Sequence, residues 1–258
     1  MTKPRVLIFD LETSLQPVAV FSLLHNDYIQ PSSIISERYI ICAAWRWEGE
    51  SKVHTVSVMD DLKRYKRDPH DDLHVVKTLH KVLSEADVIV GHNSDAFDKR
   101  WIDTRILFHG LDPLPPIISV DTKKVAKAKF YLNSCSLDYL GKFLKLGQKR
   151  PTSPGLWMRI LNGDAKAVKE MEWYCKGDII LLDKVYQKLK PYTQVVNLEL
   201  FGKREGCPRC GSRKVQSRGV HRAITKTYQR FQCQAEGCRG WFRVLRATPN
   251  TSTKYRTL

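Results

Sequence analysis

The stretch Val6-Leu7-Ile8-Phe9-Asp10-Leu11-Glu12-Thr13 constrains the chain more than any other. Four consecutive apolar residues rich in β-formers predict a buried central strand. It is expected to end where the polar residues begin, at Asp10 and Glu12. Residues two apart on a strand share a face, so both carboxylates converge on one spot while Leu11 turns back into the core. Two like charges at the edge of an apolar sheet repel and are costly to desolvate, a cost that a divalent cation removes. The alternative is a strand that ends in solvent with incidental acids.

Downstream, Thr13 to Pro31 reads as irregular or partly helical, and Arg38 to Trp47 as a second buried strand. Glu48-Gly49-Glu50 is a hairpin turn, and Val53 to Val58 returns with alternation. Asp71 to Ser84 carries apolar residues at helical spacing. Asp87 to Gly91 is a short buried strand, Ala96 to His109 a helix, and Ile117 to Val120 another strand, followed by short helices at Thr122–Ala128 and Ser136–Leu146. Gln148 to Gly155 is a basic loop that two prolines keep out of regular structure. Asp164 caps a long helix to about Leu189, which Pro191 ends. Strands interleaved with helices make an α/β fold with a mixed sheet the natural solution. The domain boundary falls near residues 195–205.

Two further acids sit in apolar neighbourhoods. Asp98 follows the strand Val88-Ile89-Val90-Gly91 and opens a helix, where a capping role for Asp95 or Asp98 is an alternative. Asp178 is followed by Ile179-Ile180-Leu181-Leu182 and shares a helix face with Tyr174 one turn earlier. Its alternative is a solvent-side acid on an amphipathic helix. None of the four acids has an obvious basic partner in its own segment.

With these residues in place, the chain resembles the DnaQ-like (DEDDy-type) 3′→5′ exonucleases of the ribonuclease-H-like fold. Within them it is most similar to the proofreading domains of family B DNA polymerases and their stand-alone relatives. Phe9-Asp10-Leu11-Glu12-Thr13 looks like their first motif, Gly91-His92-Asn93 with Phe97-Asp98 their second, and Tyr174 with Asp178 their third in its tyrosine version. The likeness covers roughly residues 5–192 and includes Val120-Asp121-Thr122 and Ser136-Leu137-Asp138-Tyr139-Leu140. It implies a ribonuclease-H-like domain over residues 1–198 and catalysis by Asp10, Glu12, Asp98, Asp178 and Tyr174. The four acids would hold two Mg²⁺ or Mn²⁺, and Asn93 would contact the substrate or the backbone. Arg105, Lys149 and Arg150 are further candidate nucleic-acid contacts in this domain. Asp95, three residues before Asp98, is a competing register for the second motif.

The C-terminal end is a different kind of sequence. Of the formal net charge of +16, residues 203–258 carry a surplus of 12. That favours a polyanionic partner such as nucleic acid over neutral ones, with an anionic membrane as the other option. Cys207, Cys210, Cys233 and Cys238 form C-x2-C, a gap of 22 residues, then C-x4-C, whereas Cys42, Cys135 and Cys175 stand singly as buried thiols. Four thiolates at this spacing suit one structural Zn²⁺ with no open position for water. Lys226 to Gln232 alternates like a strand entering the second pair, similar to the zinc ribbons appended to replication and transcription proteins. A four-cysteine ribbon is therefore expected over residues 203–247, with a flexible tail at 248–258. Its candidate nucleic-acid contacts are Arg213, Lys214, Arg218, Arg222, Lys226, Arg230 and the aromatics Tyr228 and Trp241, with Arg209, Arg239 and Arg243 also nearby. Phe231 and Phe242 read better as a thin core.

The leading expectation is a metal-dependent 3′→5′ exonuclease on single-stranded DNA or a 3′ end, with replication proteins as candidate partners. It competes with a structure-selective endonuclease, a binding protein with an inactive nuclease domain, and a scaffold. DNA is favoured over RNA by the resemblance, and a phage or viral replication system suits the compact arrangement. Met1-Thr2-Lys3-Pro4-Arg5 is not an apolar leader and no apolar run has the length of a membrane span, so the cytoplasm, of a host cell if viral, is the expected location.

Overall fold

The computed structural model describes residues 4–20, 29–193, 206–208, 210–223 and 226–246. The expected boundary at 195–205, the tail at 248–258, Arg209 and part of the Thr13–Pro31 stretch lie outside the described residues. The chain divides into two compact units, one spanning Pro4–Leu189 and one C-terminal to it. Among the described residues, no helix is long and apolar enough to cross a membrane.

The first unit is a five-stranded sheet of β1 (Val6–Thr13), β2 (Ile40–Trp47), β3 (His54–Ser57), β4 (Val88–Gly91) and β5 (Ile118–Asp121), in the order β3-β2-β1-β4-β5. β1, β2 and β3 pair antiparallel, whereas β4 runs parallel to both β1 and β5. Leu7, Ile8 and Phe9 are buried because both faces of β1 are covered, which is why its apolar run shows no alternation. β1 does not end at the acids. It continues past Asp10 and Glu12 to a bulge at Thr13, and it pairs them with Ala44 and Cys42 of β2. These small partners leave room on the acidic face.

The helices are α1 (Leu62–Arg67), α2 (Leu73–Ser84), α3 (Asp98–Phe108), α4 (Thr122–Lys129), α5 (Leu137–Phe143), α6 (Pro154–Leu161) and α7 (Ala165–Leu189). α7 packs across β1, β2 and β3. Asp164 starts it by accepting the amides of Lys166 and Ala167 at 2.8 and 3.3 Å. α6 corrects the expectation of a loop through Gly155. Pro154 occupies the first turn, where a missing N–H costs nothing, and so begins a helix rather than preventing one.

Arg105 is also corrected as a nucleic-acid contact. It is buried in α3 and donates to Asp72 through Nε at 2.8 Å and Nη2 at 2.7 Å. Asp72, fully buried, also meets His109 Nε2 at 2.6 Å and accepts the Ile40 amide at 2.9 Å. This carboxylate ties α2, α3 and β2 together. Asp72→Ala leaves a buried guanidinium without its counter-charge and is expected to lower stability by about 3–5 kcal/mol, read as a drop in denaturation midpoint.

The C-terminal unit is a three-stranded antiparallel sheet, β6 (Val215–Arg222), β7 (Thr227–Cys233) and β8 (Trp241–Leu245), in the order β6-β7-β8. Its small core consists of Cys207, Cys233 and Cys238, with Cys210, Val215, Ala235 and Phe242 packed against them.

Candidate metal centre and its surroundings

β4 stops at Gly91 while β1 runs on to Thr13, so Asp10 and Glu12 lie beyond the carboxyl end of this parallel pair, where α/β sheets place their ligands. The edge of β1 exposed there is met by Asp98 at the start of α3, whose Oδ1 accepts the Leu11 amide at 3.2 Å. Asp10 and Glu12 project from the other side of β1's alternation toward α7. α7 supplies Asp178, which is 1 % exposed. Carboxylate oxygens of Asp10, Glu12 and Asp178 lie within 4.8 Å of one another, a grouping able to hold a metal ion. Asp98 is outside that triad but buried beside it, and its charge is felt by Asp10.

Such crowding shifts every acid the same way. Burial, reinforced by the charges of Asp98, Glu12 and Asp178, holds Asp10 well above the usual carboxylate range. Burial and then Asp178 push Glu12 up to about 8. Burial pushes Asp98 up to about 7, although the Leu11 amide pulls the other way. A group raised in the folded state favours folding when protonated, and that contribution disappears as the pH rises through the folded value. Without added Mg²⁺ or Mn²⁺, the protein is therefore expected to lose stability relative to Glu12→Gln as the pH rises from about 4.5 to about 8. Comparing thermal midpoints of the two proteins across that range checks it.

The acids do have a basic neighbour, brought from a different segment. Lys149 Nζ lies 2.7 Å from Asp178 Oδ2 and 5.2 Å from the centre of the Tyr174 ring. It comes from the Gln148–Gly155 stretch, 29 residues before Asp178. Its backbone amide is anchored on Asp138 Oδ1 of α5 at 3.0 Å. Arg150 turns the other way. Its guanidinium lies 3.9 Å over the Trp173 ring and donates to the Trp173 carbonyl. Its stem crosses α7 at Gly177, where a Cβ would come within 2.6 Å of Arg150 Cδ. A glycine beside Asp178 thus lets the loop lie against the helix.

Two residues at the site escaped the sequence reading. Trp157 of α6 stands edge-on to Tyr174, with centroids 6.5 Å apart, and donates Nε1–H to the Thr13 carbonyl at 3.1 Å. It lies between Gly155 and Asp164, a stretch for which the sequence suggests no element. Cys175 Sγ sits 3.7 Å from both the backbone oxygen and Oδ2 of Asp10, so the acidic spot is backed by a thiol. Asn93 adopts φ 67°, and its amide donates to Asp121 Oδ1 at 2.9 Å. Asp95 is engaged elsewhere, with Ser119 Oγ at 2.5 Å and Lys124 Nζ at 2.7 Å.

In the C-terminal unit, Cys207 Sγ and Cys238 Sγ are 3.7 Å apart, and Cys210 Sγ and Cys233 Sγ 3.6 Å. All four sulfurs lie within 4.8 Å of one another. A disulfide needs about 2.05 Å, whereas these separations match the edges of a tetrahedron with metal–sulfur bonds of about 2.3 Å. The cluster is consistent with a small metal-binding motif.

Residues 36–190 match the profile of the RNase_H superfamily, and the chain belongs to that superfamily. The match begins downstream of Asp10 and Glu12, so these two acids join the domain through the pairing of β1. Among solved structures, the chain is similar to the family B DNA polymerase of the hyperthermophilic archaeon Pyrobaculum calidifontis. Identity is 17% and the TM-score 0.53, over 74% of this chain and 25% of the polymerase. The chain thus spans about a quarter of that protein's length. No curated protein matches the chain.

Proposed function

We propose that the chain is a metal-dependent 3′→5′ exonuclease that acts on single-stranded or 3′-terminal DNA and releases nucleoside 5′-monophosphates. The observation that carries this reading is the convergence of Asp10, Glu12 and Asp178 beside Asp98, with Asp178 Oδ1 buried and, among the described residues, making no hydrogen bond of normal geometry. A buried carboxylate oxygen without a hydrogen bond, among acids that burial holds above their usual range, fits a cation-binding site, and carboxylate oxygens suit hard divalent ions. Asp10, Glu12, Asp98 and Asp178 would hold two Mg²⁺ or Mn²⁺, whose chemistry when bound is activation of water and stabilisation of charge on the phosphate and the leaving oxygen.

The remaining roles belong to the chain's own groups. Burial holds the Tyr174 phenol above its ordinary value despite Lys149, so it keeps its proton at neutral pH. It therefore acts as a hydrogen-bond donor that orients water or the scissile phosphate rather than as a base. Trp157 fixes the ring from its edge. Lys149 sets a cation beside Asp178, within the site, as a partner for a phosphate oxygen. Asn93, on the loop fixed by Asp121, is the proposed substrate contact on the α3 side.

The four cysteines are proposed to hold one structural Zn²⁺ as a zinc ribbon. DNA as substrate, replication proteins as partners and a cytoplasmic setting, in a host cell if viral, are proposed on the sequence resemblance. The polymerase likeness supports the fold underlying it. The test is a time course on 5′-labelled and 3′-labelled single-stranded DNA, duplex DNA and RNA, with and without Mg²⁺ or Mn²⁺. Metal-dependent ladders shortening from the 3′ end are expected. A single internal cut would replace exonuclease with endonuclease, and no cleavage under any condition would remove the enzymatic reading.

A further inference from the structure

The strand register divides the C-terminal sheet into two unlike faces. Cys233, Phe231 and Phe242 share one, where the two phenyl rings stack with centroids 5.4 Å apart. The opposite face takes Tyr228 and Arg230 from β7, and Trp241 and Arg243 from β8. Trp241 is 51 % exposed, a large ring left open on this face. Arg243 lies 4.3 Å over the Tyr228 ring. Arg218, at the irregularity in β6, reaches the same face by donating to Gln232 Oε1 at 3.1 Å.

Two features say what this face meets. Arg230 and Arg243 are direct cross-strand partners, an arrangement of like charges that destabilises an isolated sheet. Across residues 206–246 there is a single acid, Glu236, in the turn after Cys233. Among the described residues, neither Arg230 nor Arg243 has a carboxylate of its own sheet face to pair with. An arginine pair therefore stands at the centre of this face, with Tyr228 and Trp241 on either side of it along the sheet. The rings are separated by four residues of strand, about 13 Å at 3.3 Å per residue.

We infer that this face of the C-terminal sheet is a binding platform for single-stranded nucleic acid, with Arg218, Arg230 and Arg243 on phosphates and Tyr228 and Trp241 on bases. Single strands are specified because only unpaired bases can leave their stack to lie on a ring. Arg222 is on the other face, opposite Thr227. The inference does not depend on the acidic site: binding is predicted in a protein that cannot cleave.

The test uses the full chain carrying Asp10→Asn, so that labelled oligonucleotides survive, and reads fluorescence anisotropy at several salt concentrations. Trp241→Ala and the pair Arg230→Gln with Arg243→Gln are each expected to weaken binding of single strands about ten-fold or more. The paired arginine variant should also flatten the salt dependence. Trp241→Phe, which keeps a ring, should recover most of the affinity, and Arg222→Gln should change it less than about two-fold. In the cleaving protein, Trp241→Ala should raise KM on long single strands and leave kcat within about two-fold. Zinc content near one per chain in each variant certifies that the sheet is intact. Unchanged affinity in an intact Trp241→Ala protein, loss equal to that of Arg222→Gln, or equal affinity for duplex and single strand each overturns the inference. An intact set of variants with no oligonucleotide effect would assign the face to a protein partner.

Discussion

Asp10→Asn is expected to reduce metal-dependent cleavage by at least about a thousand-fold, the scale seen when one member of a constellation that acts as a unit is removed. Asp10 is the acid on which the charges of Asp98, Glu12 and Asp178 all act. Substitution by its isosteric amide keeps the packing against Cys175 and removes one negative charge from a crowded, buried set. Stability without added divalent ions should therefore rise or hold while activity collapses. Opposite signs for the two measurements identify an arrangement kept for function at the expense of the fold. Asp95→Asn is the control, since Asp95 is held by Ser119 and Lys124 and not by the cluster. Its activity should stay within a few-fold of the parent. Comparable losses in both variants would mean that the carboxylates act through general electrostatics, and the assignment of Asp10 would fail.

Cys207→Ser is expected to unfold the C-terminal sheet while the sheet of Pro4–Leu189 keeps its hydrogen-exchange protection. The reasoning is one of scale. A structural zinc site supplies on the order of 10–16 kcal/mol of folding free energy. Without a metal, the described residues that pack around its cysteines are few, Val215, Ala235 and Phe242, with Phe231 stacked on the last. Strand pairing alone does not hold three short strands whose outer positions are mostly exposed. The measurements are zinc per chain, falling from one to near zero, and exchange of β6–β8 amides. Persistent protection in a zinc-free variant would show that the sheet folds on its own contacts.

How legible this was in the sequence depended on whether a residue's role is set locally. The central strand and the long helix were readable because Val6–Phe9 and the stripe through Val168, Met171, Cys175, Ile179 and Leu182 state their periods within a few residues. The acids could be picked out by their apolar settings. What the sequence could not state was pairing across distance: Lys149 with Asp178, Asp72 with Arg105, Trp157 with Thr13. Pro154 and Gly155 were misread because a proline at the first turn of a helix looks locally like one that breaks it. α1, six residues long with Tyr65 alone buried, is too short to show a stripe. On the C-terminal sheet, composition announced a basic and aromatic surface, but only register separates Arg230 from Arg222.

The amide of Leu11 is a reporter that the fold supplies. It lies past the end of β4 and is held by the side chain of Asp98 rather than by a neighbouring strand. A cation that draws on the Asp98 carboxylate changes the charge on the acceptor that faces this one N–H. Its proton resonance can follow occupancy of the acidic centre in a protein that turns nothing over, without a probe attached. Ion loading and strand cleavage can then be titrated as separate events on the same molecule.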